Sequence, residues 1–404
     1  MRSKTTSTRR SRLEKLKEKN KIYKNRQKSG VIISAPDNTL FMIILTIAIF
    51  GLAAVFSAGA PEGMEDYNNP AYYVLKQSIF MFLGFLILFF FSKKDYKKFE
   101  QWAFPFALGT IFLIGLTYIP GLGTTSNGST RWLSFIPFLQ VQPSEFAKIS
   151  VILLIASSIS KAKTLLDQKL LRSLLLVGVM VILILKQPNL SVSMVVAAIT
   201  GFMMYVGGTS ETLFVSGATV MGFLAYHNIM HNAYQLKRIT GWLDPWKDVH
   251  ETGYNLIQSW FAIGSGGVFG VGFGNSKQKL FYLPFRHTDF IFSVICEELG
   301  FIGGVILIGL YLALIHRGFT IASRCPDSFG RLVAFGISVA IGLQALINMA
   351  VATGVMPVTG VTLPLVSYGG TSILVTMAML GILLNISRKR IQKLPINGET
   401  NEQD

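Results

Sequence analysis

One cluster of polar residues has the composition expected of a general base site. His287, Thr288 and Asp289 stand at the start of a long apolar segment that also contains Glu297 and Glu298. Ionisable groups near hydrocarbon are costly, so each is a functional candidate. Asp289 either accepts a proton from a reacting hydroxyl group or caps the following helix. Glu297 and Glu298 lie ~12 Å deeper along a helix, where a structural role is favoured, with one of them paired to a buried cation.

A second set of charges belongs to other polar segments of the chain. Glu145 and Lys148 are three residues apart and share one helix face, so a salt bridge that secures the helix is one interpretation. In the other, Lys148 and Arg131 bind an anionic headgroup or a diphosphate, which suits the planar guanidinium group. Lys237 and Arg238 add two cations on the same side of the predicted membrane.

Three further patterns give weaker signals. His227 and His231 have the spacing of two zinc ligands, but no third ligand is nearby, so interfacial histidines are favoured. The glycine-rich run 264–274 lacks the ending of a phosphate-binding loop. It predicts close helix packing or a re-entrant turn. Cys296 and Cys325 lie in different segments and are predicted to be unpaired.

The elements that must position these groups are membrane helices. Of the 404 residues, 51% are hydrophobic and only 14% are charged, against about 25% charged in a soluble domain. Charge-free blocks approach the roughly 20 residues that cross a bilayer. The pattern predicts an all-α protein with ten spans, near 39–58, 73–92, 102–120, 144–160, 171–187, 190–207, 211–229, 288–315, 331–353 and 371–387.

The distribution of charge predicts the orientation of these spans. The net charge is +16, and the first 30 residues hold 12 Lys and Arg against two Glu. Cytoplasmic loops are enriched in Lys and Arg, so both termini are expected inside. The largest outer loop then joins spans seven and eight. The sequence predicts three parts: a basic cytoplasmic tail over 1–35 that is expected to be disordered, a membrane domain over 36–390, and a C-terminal cytoplasmic tail over 391–404. Nucleic-acid binding is excluded as an interpretation, because no recognition fold accompanies the tail.

Several motifs, taken together and in order, resemble the SEDS family (shape, elongation, division and sporulation). The longest runs from Gly354 to Ser372 and is preceded by Asn348. The others are Arg131-Trp132, Gln142–Lys148, Gln258-Ser259, Gly272–Leu280 and His287–Phe292. The resemblance covers about residues 39–390, and Gly274–Leu280 is most similar to the division branch. The elongation and sporulation branches remain open.

The resemblance implies a ten-span glycosyltransferase that polymerises lipid II into peptidoglycan on the outer face of the bacterial cytoplasmic membrane, at the division septum. It implies an inverting transfer with loss of undecaprenyl diphosphate. The implied partners are a class B penicillin-binding protein and other division membrane proteins. Asp289 stands at the position that the resemblance makes catalytic. The residues expected to bind substrate are Arg131, Glu145, Lys148, Arg238, His287 and Ser367.

Two departures from the family pattern bear on a metal cofactor. Asn189 and Phe285 stand where family members usually carry acidic residues. A divalent cation, Mg²⁺ or Mn²⁺, therefore stays an open expectation without assigned ligands. Two other functions are also left open. A lipid II flippase would use the same charges to carry a headgroup across the bilayer, and a scaffold would only position the penicillin-binding protein.

Overall fold

The computed structural model describes residues 31–126, 129–136, 139–162, 167–208 and 211–391, and this part of the chain is mostly helical. The predicted tails, 1–35 and 391–404, lie almost entirely outside these residues. The helices are α1 (Asn38–Tyr67), α2 (Tyr72–Lys93), α3 (Lys97–Leu116), α4 (Pro143–Lys161), α5 (Gln168–Lys186), α6 (Leu190–Val206), α7 (Glu211–His231), α8 (Ala233–Leu243), α9 (Tyr254–Gly266), α10 (Ile291–Arg324), α11 (Ser328–Ala352) and α12 (Gly370–Ser387). A short 3₁₀ helix occupies Pro245–Asp248.

Eight of the described helices are long and apolar enough to cross a bilayer: α1 to α5 and α10 to α12. The chain is therefore a multi-pass membrane protein. The other two predicted spans correspond to α6, which is apolar but has 17 residues, and to α7. Among the spanning helices, α4 and α12 are central, since 83% of their apolar windows is buried, against 22% for α2 and α3. The peripheral helices expose apolar side chains to lipid.

The expectation of an all-α protein was incomplete. The strands are β1 (Val31–Ile33), β2 (Gly123–Ser126), β3 (Ser129–Ile136), β4 (Leu139–Val141) and β5 (Lys389–Ile391). β2, β3 and β4 form an antiparallel sheet within the predicted outer segment 119–143. β3 contains the β-branched and aromatic residues that suit strands. It is short, however, and the helical pattern of the surrounding segments determined the predicted fold class.

β1 pairs with β5 at the opposite end of the bundle from this sheet. That pairing brings the first and last described residues together. Nearby, Asp37 accepts a hydrogen bond from the backbone N–H of Leu40 at 3.0 Å and so caps α1. Its other oxygen forms an ion pair with Arg317 at 2.8 Å. Both described ends of the chain therefore lie on one side of the molecule.

The glycine-rich run packs closely against α10, as predicted. α10 is interrupted at Gly300, which has a φ of +67°. The freed backbone groups bind the preceding loop: Gly272 donates its N–H to the carbonyl of Glu298 at 3.0 Å. Gly270 has a φ of +83°, and a Cβ at this position would lie 2.1 Å from the same carbonyl oxygen. Only a residue without a side chain fits this contact.

Glu297 and Glu298 hold the same loop with their side chains. Lys279 forms a buried ion pair with Glu298 at 2.9 Å. Glu297 accepts hydrogen bonds from the hydroxyl group of Ser276 and from the backbone N–H of Lys277. The expectation that one of the two acids pairs with a buried cation is confirmed. Cys296 and Cys325 are both free thiols, as predicted.

Candidate active site

A cavity of about 1020 Å³ lies at the end of the bundle opposite β1 and β5. The α1–α2 turn, β3, α4, α8, the loop before α10 and the segment 358–372 all contribute to its wall. Six of the seven residues predicted to act on substrate line it: Arg131, Glu145, Lys148, Arg238, His287 and Asp289. The structure thus collects groups that are up to 158 positions apart in the chain.

Asp289 is held by its backbone while its carboxylate stays available. The side-chain amide of Asn348 donates to the carbonyl oxygens of Asp289 and Val361, both at 2.8 Å. A Cβ on Gly360 would lie 3.7 Å from the Asp289 carboxylate, so the glycine leaves space beside it. Within the described residues, no donor forms a hydrogen bond to that carboxylate. A substrate hydroxyl group is a partner of the right chemistry.

The expectation that Asp289 might cap a helix was wrong. α10 begins at Ile291, its N-cap position is Phe290, and no side chain makes a capping hydrogen bond there. Asp289 instead lies one residue before the cap, in the loop that lines the cavity. The side chain of Asp289 is therefore not occupied by the helix that follows it.

Burial sets the proton affinity of Asp289. The loss of solvent raises the pKa of its carboxyl group to about 6, and the positive charges of Arg238, His287 and Arg131 partly oppose this rise. The residue keeps partial exposure because it faces the cavity. A general base works best when its pKa is near the working pH. At neutral pH Asp289 is mostly ionised and able to accept a proton.

Arg131 is fixed by the turn between α5 and α6. Its Nε donates to the carbonyl oxygen of Gln187 at 3.0 Å, and Nη2 donates to that of Pro188 at 2.5 Å. Burial lowers the pKa of its guanidinium group, but arginine stays charged in proteins. No carboxylate among the described residues forms an ion pair with it. Its positive charge is therefore free to attract an anion in the cavity.

Arg238 connects α8 to the wall on the other side. Its Nη1 donates to the carbonyl oxygen of Val358 at 3.1 Å. The guanidinium group stacks on the ring of Tyr234, 4.5 Å from the ring centroid, and donates to its hydroxyl group. The neighbouring Lys237 also lines the cavity. Arg131, Arg238 and Lys237 thus all contribute positive charge to the cavity wall.

The salt bridge predicted between Glu145 and Lys148 is confirmed. Pro143 occupies the first turn of α4, as expected of a helix start. One turn on, Lys148 Nζ lies 2.7 Å from Glu145 Oε2, and both side chains are buried. Both residues also line the cavity. The pair is neutral overall, so the unbalanced positive charge of the site comes from the other cations.

His287 and Ser367 support the loop that carries Asp289. His287 contacts the rings of Tyr73 and Tyr368, and its Nδ1 is 3.3 Å from Glu62 Oε2. Ser367 is buried and is not among the residues that line the cavity. Its hydroxyl group donates to the carbonyl oxygen of Thr288 at 2.5 Å. The geometry gives Ser367 a positioning contact with the loop rather than a place on the cavity wall.

Lys76 is a lining residue that the sequence interpretation missed. It stands on α2 with its Nζ 5.9 Å from the centroid of the Tyr72 ring, and both side chains face the cavity. No ion pair to Lys76 is formed within the described residues. The signal was present, because Lys76 is a cation inside a predicted span and such residues are functional candidates. The other residues of the cavity wall, however, come mostly from distant segments of the chain.

The two positions that depart from the family pattern supply no acidic ligand for a metal ion. Asn189 is buried, and its side-chain oxygen accepts a hydrogen bond from the N–H of Val192 at 3.4 Å, so it caps α6. Phe285 offers no ligand atom. Within the described ranges, no group of three or more His, Cys, Asp or Glu residues is placed to hold a metal ion. His227 and His231 stack on each other, with ring centroids 4.0 Å apart.

Comparison with known families agrees with this architecture. The model of the FtsW, RodA and SpoVE family, described as cell cycle proteins, matches residues 37–392. The chain belongs to this family. Among FtsW proteins, the probable peptidoglycan glycosyltransferase of Geobacter sp. strain M18 is 38% identical over 360 residues, which cover 87% of this chain and 97% of that protein. The stage V sporulation protein E of Bacillus subtilis is 37% identical, covering 88% and 98%.

Solved structures of the same family share the fold. A peptidoglycan synthase complex, whose structure concerns the coordination of polymerisation and crosslinking, contains a chain with a TM-score of 0.72 and 32% identity. The match covers 88% of this chain and 98% of that one. RodA of Thermus thermophilus gives a TM-score of 0.67 at 30% identity and covers 89% and 99%. The resemblance drawn from the sequence motifs is confirmed.

Proposed function

We propose that the cavity around Asp289 polymerises lipid II into glycan strands during cell division. The chain is a peptidoglycan glycosyltransferase of its family, as its FtsW relatives at 36–39% identity are named. The observation that carries the assignment of the site is the Asp289 carboxylate, which accepts no hydrogen bond within the described residues and feels the positive charges of Arg131, Arg238 and His287. That combination fits a base-catalysed transfer from a diphosphate donor. The other unpaired acid of the cavity wall, Glu251, is exposed to solvent.

The chemistry needs few groups. Asp289 takes the proton from the C4 hydroxyl group of the acceptor sugar as its oxygen bonds to the anomeric carbon of the donor. The bond from that carbon to the diphosphate breaks, and the diphosphate leaves with the electron pair. Diphosphate is a good leaving group, so the acid of a glycosidase pair is not required. Arg131 and Arg238 stabilise the charge that develops on it. One displacement inverts the anomeric configuration.

The orientation of the molecule is part of the proposal. Counting α6 and α7 as spans gives ten crossings, which places both termini on one side and the cavity on the other. The positive-inside rule then assigns the cavity to the outer face, where lipid II is polymerised. The pairing of β1 with β5 supports a common side for both termini. The similarity to FtsW supports a proposed localisation at the division septum.

A class B penicillin-binding protein is the proposed partner. The similar solved structure is of a complex that couples polymerisation with crosslinking, and a chain that only polymerises needs a separate transpeptidase. Further division membrane proteins are proposed as additional partners. We propose that the protein cations perform the electrostatic role at the diphosphate. A requirement for Mg²⁺ or Mn²⁺ would appear as loss of polymerisation when a chelator is added.

The deciding experiment is polymerisation of lipid II by purified protein in detergent, with and without the transpeptidase and with Mg²⁺, Mn²⁺ or a chelator. Asp289→Asn should lower the rate by about 10²- to 10⁴-fold. Asp66→Asn is the matched control, because Asp66 is exposed and does not line the cavity. A native polymerisation rate for Asp289→Asn would show that Asp289 is not the general base. If the protein moved lipid II across the bilayer of vesicles and formed no polymer, it would be a flippase and not a polymerase.

A further inference from the structure

A second cavity of about 290 Å³ lies at the other end of the bundle, between the ends of α3, α4 and α5. Its wall contains three cations, Lys161, Lys169 and Arg172, and one carboxylate, Glu100. α4 runs between the two cavities, since its first turns line the site of Asp289 and its last residue lines this one. None of the residues assigned to the transfer reaction lines the second cavity.

The positive charge of this cavity is only partly balanced. Lys161 Nζ lies 3.2 Å from Glu100 Oε1, which also accepts a hydrogen bond from Ser160 at 3.2 Å. Lys169 and Arg172 form no ion pair with any carboxylate of the described residues. Two of the three cations are therefore left to attract a mobile anion.

The interior of the cavity combines hydroxyl groups with apolar surface. Ser158 and Ser173 are buried, and their hydroxyl oxygens are 2.6 Å apart. Ala103, Phe104 and Leu154 form the apolar part of the wall. Phe104 is on the lipid-facing side of α3, where it is 48% exposed. An occupant with an anionic head and an adjoining apolar part matches this division of the wall.

We propose that the second cavity binds the phosphate group of an anionic phospholipid from the leaflet opposite the Asp289 site. Basic pockets between transmembrane helices bind such headgroups. The volume is at the lower end of the ~300–1000 Å³ of small-molecule sites, which suits a headgroup whose acyl chains stay in the bilayer. Lys169 and Arg172 contact the phosphate oxygens, and the acyl chains follow the apolar face of α3.

Lys169 and Arg172 differ from cations that only set the membrane topology, because they line the same cavity. Lys93 and Lys98 are at the same end of the bundle and are exposed, but neither lines the cavity. If anionic lipid were attracted by net charge alone, removing any two of these cations would have the same effect. The four residues therefore supply a site variant and a control variant of equal charge.

The test measures the shift in the thermal unfolding midpoint of the purified full chain in detergent. Phosphatidylglycerol, phosphatidylcholine or inorganic phosphate is titrated into the wild type, into Lys169→Gln/Arg172→Gln and into Lys93→Gln/Lys98→Gln. We expect phosphatidylglycerol alone to raise the midpoint of the wild type and of the control. In the site variant its apparent affinity should fall roughly 25-fold, as two cations at about fivefold each imply.

Three outcomes would overturn the proposal. Equal losses in both double variants would mean attraction by general surface charge. An equal shift with phosphatidylcholine would mean that the headgroup charge is not recognised. Full stabilisation by inorganic phosphate would mean a site for a soluble anion. The single variant Lys169→Arg guards against a folding defect, because it keeps the charge and should keep the response to phosphatidylglycerol.

Discussion

Asp289 differs from Glu145, Glu297 and Glu298 because its carboxylate accepts no hydrogen bond and forms no ion pair within the described residues. Glu145 is paired with Lys148, while Glu297 and Glu298 hold the loop that packs against α10. These three carboxylates therefore stabilise the fold. The Asp289 carboxylate faces a cavity with cations in its wall, and its backbone is fixed. This contrast explains why one of four acids suits proton transfer.

The pH dependence of the reaction should report the ionisation of Asp289. Because burial raises its pKa to about 6, the carboxylate form predominates above that pH and the neutral acid predominates below it. The base is lost as pH falls, so kcat/KM should decrease about tenfold per pH unit below 6. A rate profile of lipid II polymerisation between pH 5 and 8 checks this. A decrease in kcat/KM that begins only near pH 4 would show that burial does not raise the pKa of Asp289.

Replacing Arg131 by lysine should separate charge from geometry. The guanidinium group donates to two carbonyl oxygens of the α5–α6 turn at once, and a single ammonium group cannot reproduce that fork. We expect kcat/KM for lipid II to fall about 10- to 100-fold, within the range for a displaced electrostatic donor. Arg324→Lys, an exposed site at the opposite end of the molecule, is the control. An unchanged rate for Arg131→Lys would show that charge alone suffices.

Individual helices were predictable where a local rule decides them. Apolar blocks specify the spanning helices, because backbone polar groups in lipid must be satisfied within the segment. The start of α4 follows a local rule as well, because proline is favoured in the first turn of a helix and Pro143 occupies that turn. The β2–β4 sheet was not predicted, because its hydrogen bonds join separate stretches and leave only a weak local pattern. The break of α10 at Gly300 also depends on a partner loop.

The contact between the glycine-rich loop and α10 makes a prediction about stability. Gly270→Ala adds a Cβ that would lie 2.1 Å from the Glu298 carbonyl oxygen, at a positive φ. We expect a loss of about 2 kcal/mol or more in the free energy of unfolding, seen as a lower thermal midpoint. Gly264→Ala is matched, because it lies in α9 with open space around it. It should be neutral or gain up to about 1 kcal/mol.

For the molecule as a whole, most residues of the site could be predicted from the sequence, but their arrangement relative to one another could not. Motif resemblance selected six residues that share the cavity. It did not reveal that Arg131 contacts the α5–α6 turn, or that Ser367 lies behind the wall. Lys76 was missed for the same reason. These relations join positions that are far apart along the chain, and composition or periodicity carries no information about them.

The proposed orientation can be tested by labelling with a membrane-impermeant maleimide. The native thiols of Cys296 and Cys325 are buried, so background labelling should be low. Val355→Cys, on the exposed surface near the active-site end, should react in intact spheroplasts. Ala35→Cys, next to β1, should react only after lysis. Labelling of both variants from outside would contradict a chain whose two described ends share the cytoplasmic side.

The composition of the cavity wall has a consequence for how the enzyme is made. Its residues extend from Tyr67 in α1 to Ser372 in α12. Translation proceeds from the N-terminus at about 5–20 residues per second, and α12 is the final described helix to leave the ribosome. A nascent chain held at any earlier point lacks part of the wall. We therefore expect ribosome-bound intermediates to be inactive, and glycan synthesis to begin only after the last helix has entered the membrane.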